Sequence, residues 1–78
     1  MSGVAVVIED DEAIGAVVGT YLEQAGFEVV HERTGAGGLE AVDRRHPRFV
    51  VLDLGLPDVD GFDLCRQLRD GGDVPIRS

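Results

Sequence analysis

The 78-residue sequence has no lysine and no tryptophan, and it contains one cysteine, one tyrosine and three phenylalanines. A single cysteine, Cys65, excludes an internal disulfide, so we expect a reducing, cytoplasmic setting and a structural thiol. With so few aromatic side chains, the core must be mainly aliphatic. Long hydrophobic runs are also absent, since Val4–Ile8 and Phe49–Leu52 fall far short of the roughly 20 residues that cross a bilayer. Acidic residues interrupt the first run, so we expect neither a secretion signal nor a membrane partner.

Basic residues are scarce as well, because seven arginines stand against 15 acidic residues and give a net charge of −8. Such a chain repels both nucleic-acid phosphates and anionic lipids. We therefore expect no direct binding to nucleic acid. The length allows one small domain, residues 1–78, in which every apolar face needs a partner.

Short apolar segments alternate with amphipathic segments along the chain. The predicted strands are Val4–Ile8, Phe27–His31, Phe49–Asp53 and Val74–Arg77. Between them, apolar residues recur at helical spacing. The resulting order, βαβαβαβ, predicts an α/β fold with a parallel sheet and right-handed crossovers.

Capping residues mark where the three helices are expected to begin, at Asp11, Thr34 and Asp60. The first helix is predicted to end at Gly26, in a left-handed conformation. Its apolar residues form one stripe that we expect to face the core: Ala13, Ile14, Val17, Val18, Tyr21, Leu22 and Ala25. The glycines of the second helix predict that it is short or weak.

Acidic side chains follow two strands that a parallel sheet would bring together. Glu9 and Asp10 follow the first strand, and Asp53 ends the third. The carboxyl ends of parallel strands line the functional edge of such a sheet, and neighbouring strands lie only about 5 Å apart. Two carboxylates about 4 Å apart repel by roughly 4 kcal/mol at an effective dielectric of about 20. Three of them must take up protons or hold a cation, and oxygen ligands favour Mg²⁺.

The segments around these acids resemble the response regulator receiver family of two-component signalling. One is VVIEDDEAI, which contains Glu9 and Asp10, and the other is VVLDLGLPDVDGFDLCRQLR, in which Leu-x-Leu-Pro and then Asp-Gly follow Asp53. The intervening AGFEVVHERTGAGGLEAV is similar to the second strand and helix of the family. The resemblance implies a flavodoxin-like, doubly wound parallel sheet with strand order 2-1-3-4-5.

The resemblance also implies a role for each acidic residue. Asp53 would be the phosphoacceptor, taking a phosphoryl group from a histidine kinase or a phosphotransfer protein. Asp10 would bind Mg²⁺ directly, Glu9 would assist, and Gly55 would offer its backbone carbonyl to the same ion. The module would catalyse only its own phosphorylation, so we expect a signalling protein and not an enzyme.

The sequence departs from the family pattern near its C-terminus. A complete receiver has a Ser or Thr after strand four and a Lys after strand five, whereas this chain has no lysine and Ser78 falls short of the hydroxyl position. The resemblance thus covers roughly the first two-thirds of a receiver, without the last strand and the last two helices. We expect slower phosphoryl transfer and exposed apolar surface. That surface predicts a homo-oligomer or a pairing with another receiver.

Two further interpretations stay open. In one, the chain keeps the receiver scaffold but serves as a non-phosphorylating interaction or dimerisation module. In the other, it is a truncated piece of a longer, DNA-binding response regulator. Neither the charge pattern nor the motifs distinguish these interpretations.

Two other α/β classes fit less well. A dinucleotide-binding turn needs glycines after the first strand, where this chain has Glu9 and Asp10. A haloacid-dehalogenase-like phosphatase needs Asp-x-Asp, but the residue two places after Asp53 is Gly55.

Alternative metal sites fail on spacing. If Gly61 is taken as the invariant glycine of an EF-hand loop, Leu56 falls at the first ligand position. Asp58 is therefore predicted to be a solvated loop acid. His31 and His46 lack ligand spacing, so we expect ordinary strand-end or surface roles for them.

Overall fold

A computed structural model describes residues 3–77 as one four-stranded parallel sheet with three helices packed on it. The strands are β1 (Val4–Ile8), β2 (Glu28–Glu32), β3 (Phe49–Leu52) and β4 (Ile76–Arg77). The helices are α1 (Glu12–Gln24), α2 (Gly35–Arg45) and α3 (Gly61–Asp70). The strands lie in the order β2-β1-β3-β4, and every pairing is parallel. This confirms the α/β class and the flavodoxin-like strand order over the four strands.

The main core lies between the sheet and helices α2 and α3. Strands β1 and β3 alternate side chains between the two faces of the sheet, so every second residue points into this layer. Its fully or almost fully buried members are aliphatic: Val6, Ile8, Ala41, Val50, Leu52, Leu56, Leu64 and Leu68. Each large side chain buried in this way stabilises the fold by about 1.5–3 kcal/mol. The prediction of an aliphatic core is confirmed.

Helix α1 forms where it was predicted, but its predicted buried face is only partly correct, since Val18 and Leu22 are half-buried and the other members of the apolar stripe are exposed. The side chains of Ile14, Val17 and Tyr21 are 51%, 57% and 70% exposed. The buried positions of this helix are instead Gly15 and Gly19. A glycine seam lets the helix backbone approach β2 closely, and this turns the neighbouring apolar residues toward the surface. The pattern of apolar residues alone could not reveal this rotation.

All three predicted helix caps are confirmed. The side chain of Asp11 accepts a hydrogen bond from the backbone N–H of Ile14 at 3.0 Å, and Thr34 accepts one from Gly37 at 3.0 Å. Asp60 accepts from two backbone N–H groups in the first turn of α3. Gly26 follows α1 with a φ of 100°, as predicted for its left-handed position.

The boundaries of three strands differ from the prediction. Strand β2 begins and ends one residue later than expected, and β3 ends before Asp53. Strand β4 begins only at Ile76, because Pro75 has no N–H to donate to the sheet. The Pro75 carbonyl still accepts a hydrogen bond from the Val50 N–H at 2.9 Å. Ser78, which falls short of the family's hydroxyl position, lies outside the described residues.

The glycines of α2 do not shorten it, since the helix runs for 11 residues. Gly38 instead marks a close approach to the sheet, because a Cβ atom placed on it would overlap the Ile8 side chain. Ile8 is fully buried and has no room to yield. Gly38, which the sequence analysis counted among the residues that weaken the helix, is therefore needed for packing against Ile8.

Among residues 3–77, none of the helices has the length and the apolar character needed to cross a bilayer. The longest, α1, has 13 residues.

We predict that Gly38→Ala lowers the free energy of unfolding by about 1–3 kcal/mol, the usual cost of overpacking a core. Chemical denaturation measures this change. Gly37→Ala is the matched control in the same turn, because its new Cβ meets mainly the end of the flexible Glu32 side chain. The control should be neutral or stabilised by up to about 1 kcal/mol through helix propensity. Equal stabilities for the two variants would contradict the proposed contact.

Candidate functional site

Three carboxylates meet at the carboxyl edge of the sheet. Glu9 and Asp10 directly follow β1, and Asp53 directly follows β3. One ligand oxygen from each of these residues lies within 4.8 Å of the other two, and all three residues are half-buried. The two strands are joined up to this point, since the Asp53 N–H donates to the Ile8 carbonyl at 2.9 Å. The predicted meeting of these acids is therefore confirmed.

Strand β2 holds the backbone of Glu9 in place from the other side. The Glu9 N–H donates to the Glu32 carbonyl at 2.9 Å. The His31 side chain lies 2.8 Å from the Glu9 carbonyl through its Nε2 atom. Because a carbonyl oxygen only accepts, this nitrogen must carry the proton. Both backbone polar groups of Glu9 are thus used for positioning, which leaves its carboxylate for the cluster.

His31 has a structural role that the sequence did not indicate in detail. Its imidazole ring rests on the backbone of α1 at Gly15, where any Cβ atom would overlap the ring. The strand-end role expected for His31 is confirmed, but its link to Glu9 was not predicted. The clue in the sequence is the glycine in the middle of an otherwise regular helix.

Arg33 is a second residue that the sequence analysis missed. Its Nε donates to the Asp10 carbonyl at 3.3 Å. This bond crosses from the segment after β2 to the segment after β1. The basic residue therefore helps to fix the backbone of an acidic residue at the site.

Burial and hydrogen bonds displace two carboxyl pKa values in opposite directions. The pKa of Glu9 is raised, first by its partial burial and then by the neighbouring Asp53 carboxylate. The pKa of Asp53 is lowered, mainly because the Gly55 N–H donates to its Oδ1 at 2.9 Å. The two carboxyl groups interact, so each of these shifts depends on the charge of the other group. The lowered pKa of Asp53 favours its ionised form, which can act as a ligand or a nucleophile.

The ligand chemistry of the cluster fits a hard divalent cation. All three side chains offer only oxygen atoms, which Mg²⁺ and Ca²⁺ prefer over nitrogen or sulfur. A cation among them would remove the repulsion between like charges that lie within 4.8 Å. Mg²⁺ usually binds through one or two carboxylates and keeps several waters, which this half-open edge permits.

The segment after β3 is fixed at several points. Leu56 is buried in the core. Gly61 lies so close to the backbone of Leu54 that a Cβ atom would come within 2.5 Å of the Leu54 Cα. Asp58 is an exposed loop acid, as predicted. It also accepts hydrogen bonds from the N–H groups of Gly35 and Ala36 at 2.9 and 3.2 Å, which the sequence analysis did not predict.

Comparison with known proteins gives the same picture. Residues 5–77 match the family model of the response regulator receiver domain. A probable transcriptional regulator, ycf27 of Porphyridium aerugineum, is 40% identical over 70 residues, which are 90% of this chain and 29% of that protein. The transcriptional regulatory protein AfsQ1 of Streptomyces coelicolor is 38% identical over 69 residues, which are 88% of this chain and 31% of that protein.

Solved structures show the same similarity. The crystal structure of the BeF3-activated N-terminal receiver domain of Klebsiella pneumoniae RstA superposes with a TM-score of 0.88 at 38% sequence identity. The match covers 94% of this chain and 62% of that one. The receiver domain of the TMAO respiratory system response regulator TorR superposes with a TM-score of 0.86 at 32% identity. The chain thus spans most of a receiver, but less than a third of the length of the two curated relatives.

We predict that Asp10→Asn raises the melting temperature in the absence of divalent ions, because it removes one of three clustered charges. A gain of about 1 kcal/mol corresponds to roughly 4–8 °C in a domain of this size. The same substitution should largely abolish the stabilisation that Mg²⁺ adds to the wild-type chain. Thermal unfolding with and without Mg²⁺ measures both effects.

Glu23→Gln is the control for this prediction, since it removes the same charge from the exposed surface of α1. It should leave the stabilisation by Mg²⁺ unchanged. If Mg²⁺ stabilised the Asp10→Asn chain as strongly as the wild type, the carboxylate cluster would not be the binding site.

Proposed function

This chain belongs to the response regulator receiver family of two-component signalling, and we propose that it accepts a phosphoryl group on Asp53. The observation that carries the proposal is the position of the Asp53 carboxylate beside those of Glu9 and Asp10 at the end of β3. An ionised carboxylate has a lone pair free for attack, and the adjacent acids supply a cation site. Members of this family are signalling modules, so self-phosphorylation is the only catalysis that we propose.

The proposed Mg²⁺ ligands are the carboxylates of Asp10 and Asp53, with Glu9 assisting, and the backbone carbonyl of Gly55. Bound Mg²⁺ would neutralise the charge that repels a phosphoryl donor and would orient the transferring group. Gly55 is suited to its part because its N–H already bonds to Asp53. Its carbonyl therefore belongs to a segment that is anchored beside the acceptor.

The proposed donor is a phosphohistidine on a histidine kinase or a phosphotransfer protein. A carboxylate oxygen of Asp53 attacks phosphorus and forms a P–O bond. The P–N bond of the donor breaks, and its electron pair returns to the histidine ring, which is then protonated from solvent. The hydrogen bond from the Gly55 N–H to Oδ1 would hold the Asp53 carboxylate in a fixed orientation for the attack. The product is an acyl phosphate on Asp53 and a free histidine.

The RstA receiver, 38% identical to this chain, is described in a BeF3-activated form. That description supports an acceptor role for the equivalent site in a related receiver. The curated relatives are transcriptional regulators of about three times the aligned length. We accordingly propose that the output of the phosphorylated state is transcriptional control, exerted through regions beyond the aligned part.

We predict that incubation with Mg²⁺ and acetyl phosphate adds one phosphoryl group to the wild-type chain. Intact-mass spectrometry detects the increment, and Asp53→Asn should abolish it, because the amide is not a competent nucleophile at this position. Asp73→Asn, which removes an exposed acid from the segment before β4, should leave it unchanged. No increment on the wild-type chain would favour the alternative function, a non-phosphorylating interaction module built on the same scaffold.

We further propose that two copies of the chain pair through α1 and the adjacent sheet surface. The exposed side chains of Ile14, Val17 and Tyr21 lie on consecutive turns of this helix. Beside the helix, a depression of about 370 Å³ is lined mainly by apolar residues, including Val18 and Val51. Large exposed apolar patches on a folded domain mark sites of contact with other proteins.

We predict that the wild-type chain self-associates at tens of micromolar and that Val17→Lys shifts it toward the monomer. Charge at the centre of the apolar strip would have to be desolvated on pairing. Size-exclusion chromatography with light scattering measures the mass. Glu23→Lys, an exposed change on the same helix, should not alter it. A monomeric, folded wild-type chain would contradict the proposed pairing.

A further inference from the structure

The loop between β3 and α3 is tied to a helix that is distant in the sequence. Both carboxylate oxygens of Asp58 accept backbone hydrogen bonds from the first turn of α2, one from Gly35 at 2.9 Å and one from Ala36 at 3.2 Å. These N–H groups have no partners within the helix, because the first turn of any helix leaves its donors free. The carboxylate also carries the charge that a helix N-terminus favours. We call this contact the Asp58 clasp.

The clasp is charged under ordinary conditions. The pKa of Asp58 is lowered, first by the hydrogen bond from Gly35 and also by the one from Ala36. Charged hydrogen bonds of this kind are shorter and stronger than neutral ones. The loop is therefore held by charge-assisted hydrogen bonds as well as by packing.

Apolar packing beside the clasp fixes the same position. Val59 lies against Gly35, where a Cβ atom would overlap the valine side chain. Gly35 is buried, as is Leu64, the side chain next nearest to it after Val59. The loop is thus seated on α2 by Asp58 and Val59 together.

Gly55 lies in the sequence between residues whose positions are fixed on both sides. On one side, Asp53 is bonded to β1 through its N–H, and Leu54 lies against Gly61. On the other side, Leu56 is buried in the core. Gly55 itself is exposed and has no side chain to hold it. Its orientation therefore depends on the hydrogen bond from its N–H to Asp53 and on how firmly the residues before and after it are fixed.

We propose that Asp58 is a positioning residue for the phosphoacceptor site. By holding the loop on α2, it keeps Gly55 aligned with Asp53 and so supports both Mg²⁺ binding and phosphoryl transfer. This inference rests on the proposed function and extends it to a residue outside the acidic cluster. Asp58 does not touch the reacting atoms, and it acts only through the backbone of the loop.

The test compares Asp58→Ala with Thr34→Ala. Both substitutions remove a side-chain acceptor from the N-terminus of α2, since the Thr34 hydroxyl accepts from Gly37 at 3.0 Å. Thr34 belongs to α2's own cap, whereas Asp58 belongs to the loop that carries Gly55. Loss of a helix cap alone should therefore affect both variants alike, and loss of loop positioning should affect only Asp58→Ala.

Mg²⁺ affinity is measured by titration calorimetry, and phosphorylation by acetyl phosphate is followed by intact mass at several Mg²⁺ concentrations. We expect Asp58→Ala to weaken Mg²⁺ binding by roughly 10-fold, the lower end of the range for residues that support metal ligands. Its phosphorylation rate should fall in parallel and recover partly at high Mg²⁺. Thr34→Ala should stay within about twofold of the wild type in both measurements, because the loss of one helix cap leaves the fold populated.

Asp58→Asn provides the conservative variant and retains one oxygen acceptor for Gly35. It should fall between the wild type and Asp58→Ala in Mg²⁺ affinity, and the amide resonance of Gly35 in NMR spectra should report the retained bond. Equal Mg²⁺ affinities and rates in Asp58→Ala, Asp58→Asn and Thr34→Ala would overturn the positioning role while leaving Asp53 as the acceptor. A wild-type chain that neither binds Mg²⁺ nor accepts phosphate would instead overturn the proposed function itself.

Discussion

The acidic edge of the sheet depends on a balance between the electrostatic repulsion of three carboxylates and the packing that holds them together. The parallel sheet brings Glu9, Asp10 and Asp53 within 4.8 Å because β1 and β3 are hydrogen-bonded neighbours that end at the same edge. Apolar packing below that edge is what keeps like charges together. The site is therefore stable only because the core beneath it is stable. Its excess negative charge is available to attract a cation.

Much of the fold could be predicted from the sequence, because each element carries its own local signal. The β-branched run at β1, the caps at Asp11, Thr34 and Asp60, and the alternation of strands and helices all gave correct elements. The acidic cluster could also be predicted, because the carboxyl ends of neighbouring parallel strands, here β1 and β3, lie at the same edge of the sheet.

What could not be predicted depends on which surface of an element touches its neighbour. The buried face of α1 is set by Gly15 and Gly19, and small residues give no hydrophobic signal. Asp58 is bonded to Gly35, 23 residues away in the sequence, so no local pattern reports the contact. The start of β4 differs from the prediction for a local reason. Pro75 has no N–H to donate to the sheet, and this outweighs the apolar character of the residues around it.

The side chain of His31 connects α1 to the acidic edge of the sheet. The imidazole ring rests on the helix backbone at Gly15, and its Nε2 lies 2.8 Å from the Glu9 carbonyl. The packing of α1 on β2 and the position of the Glu9 main chain therefore depend on the same side chain.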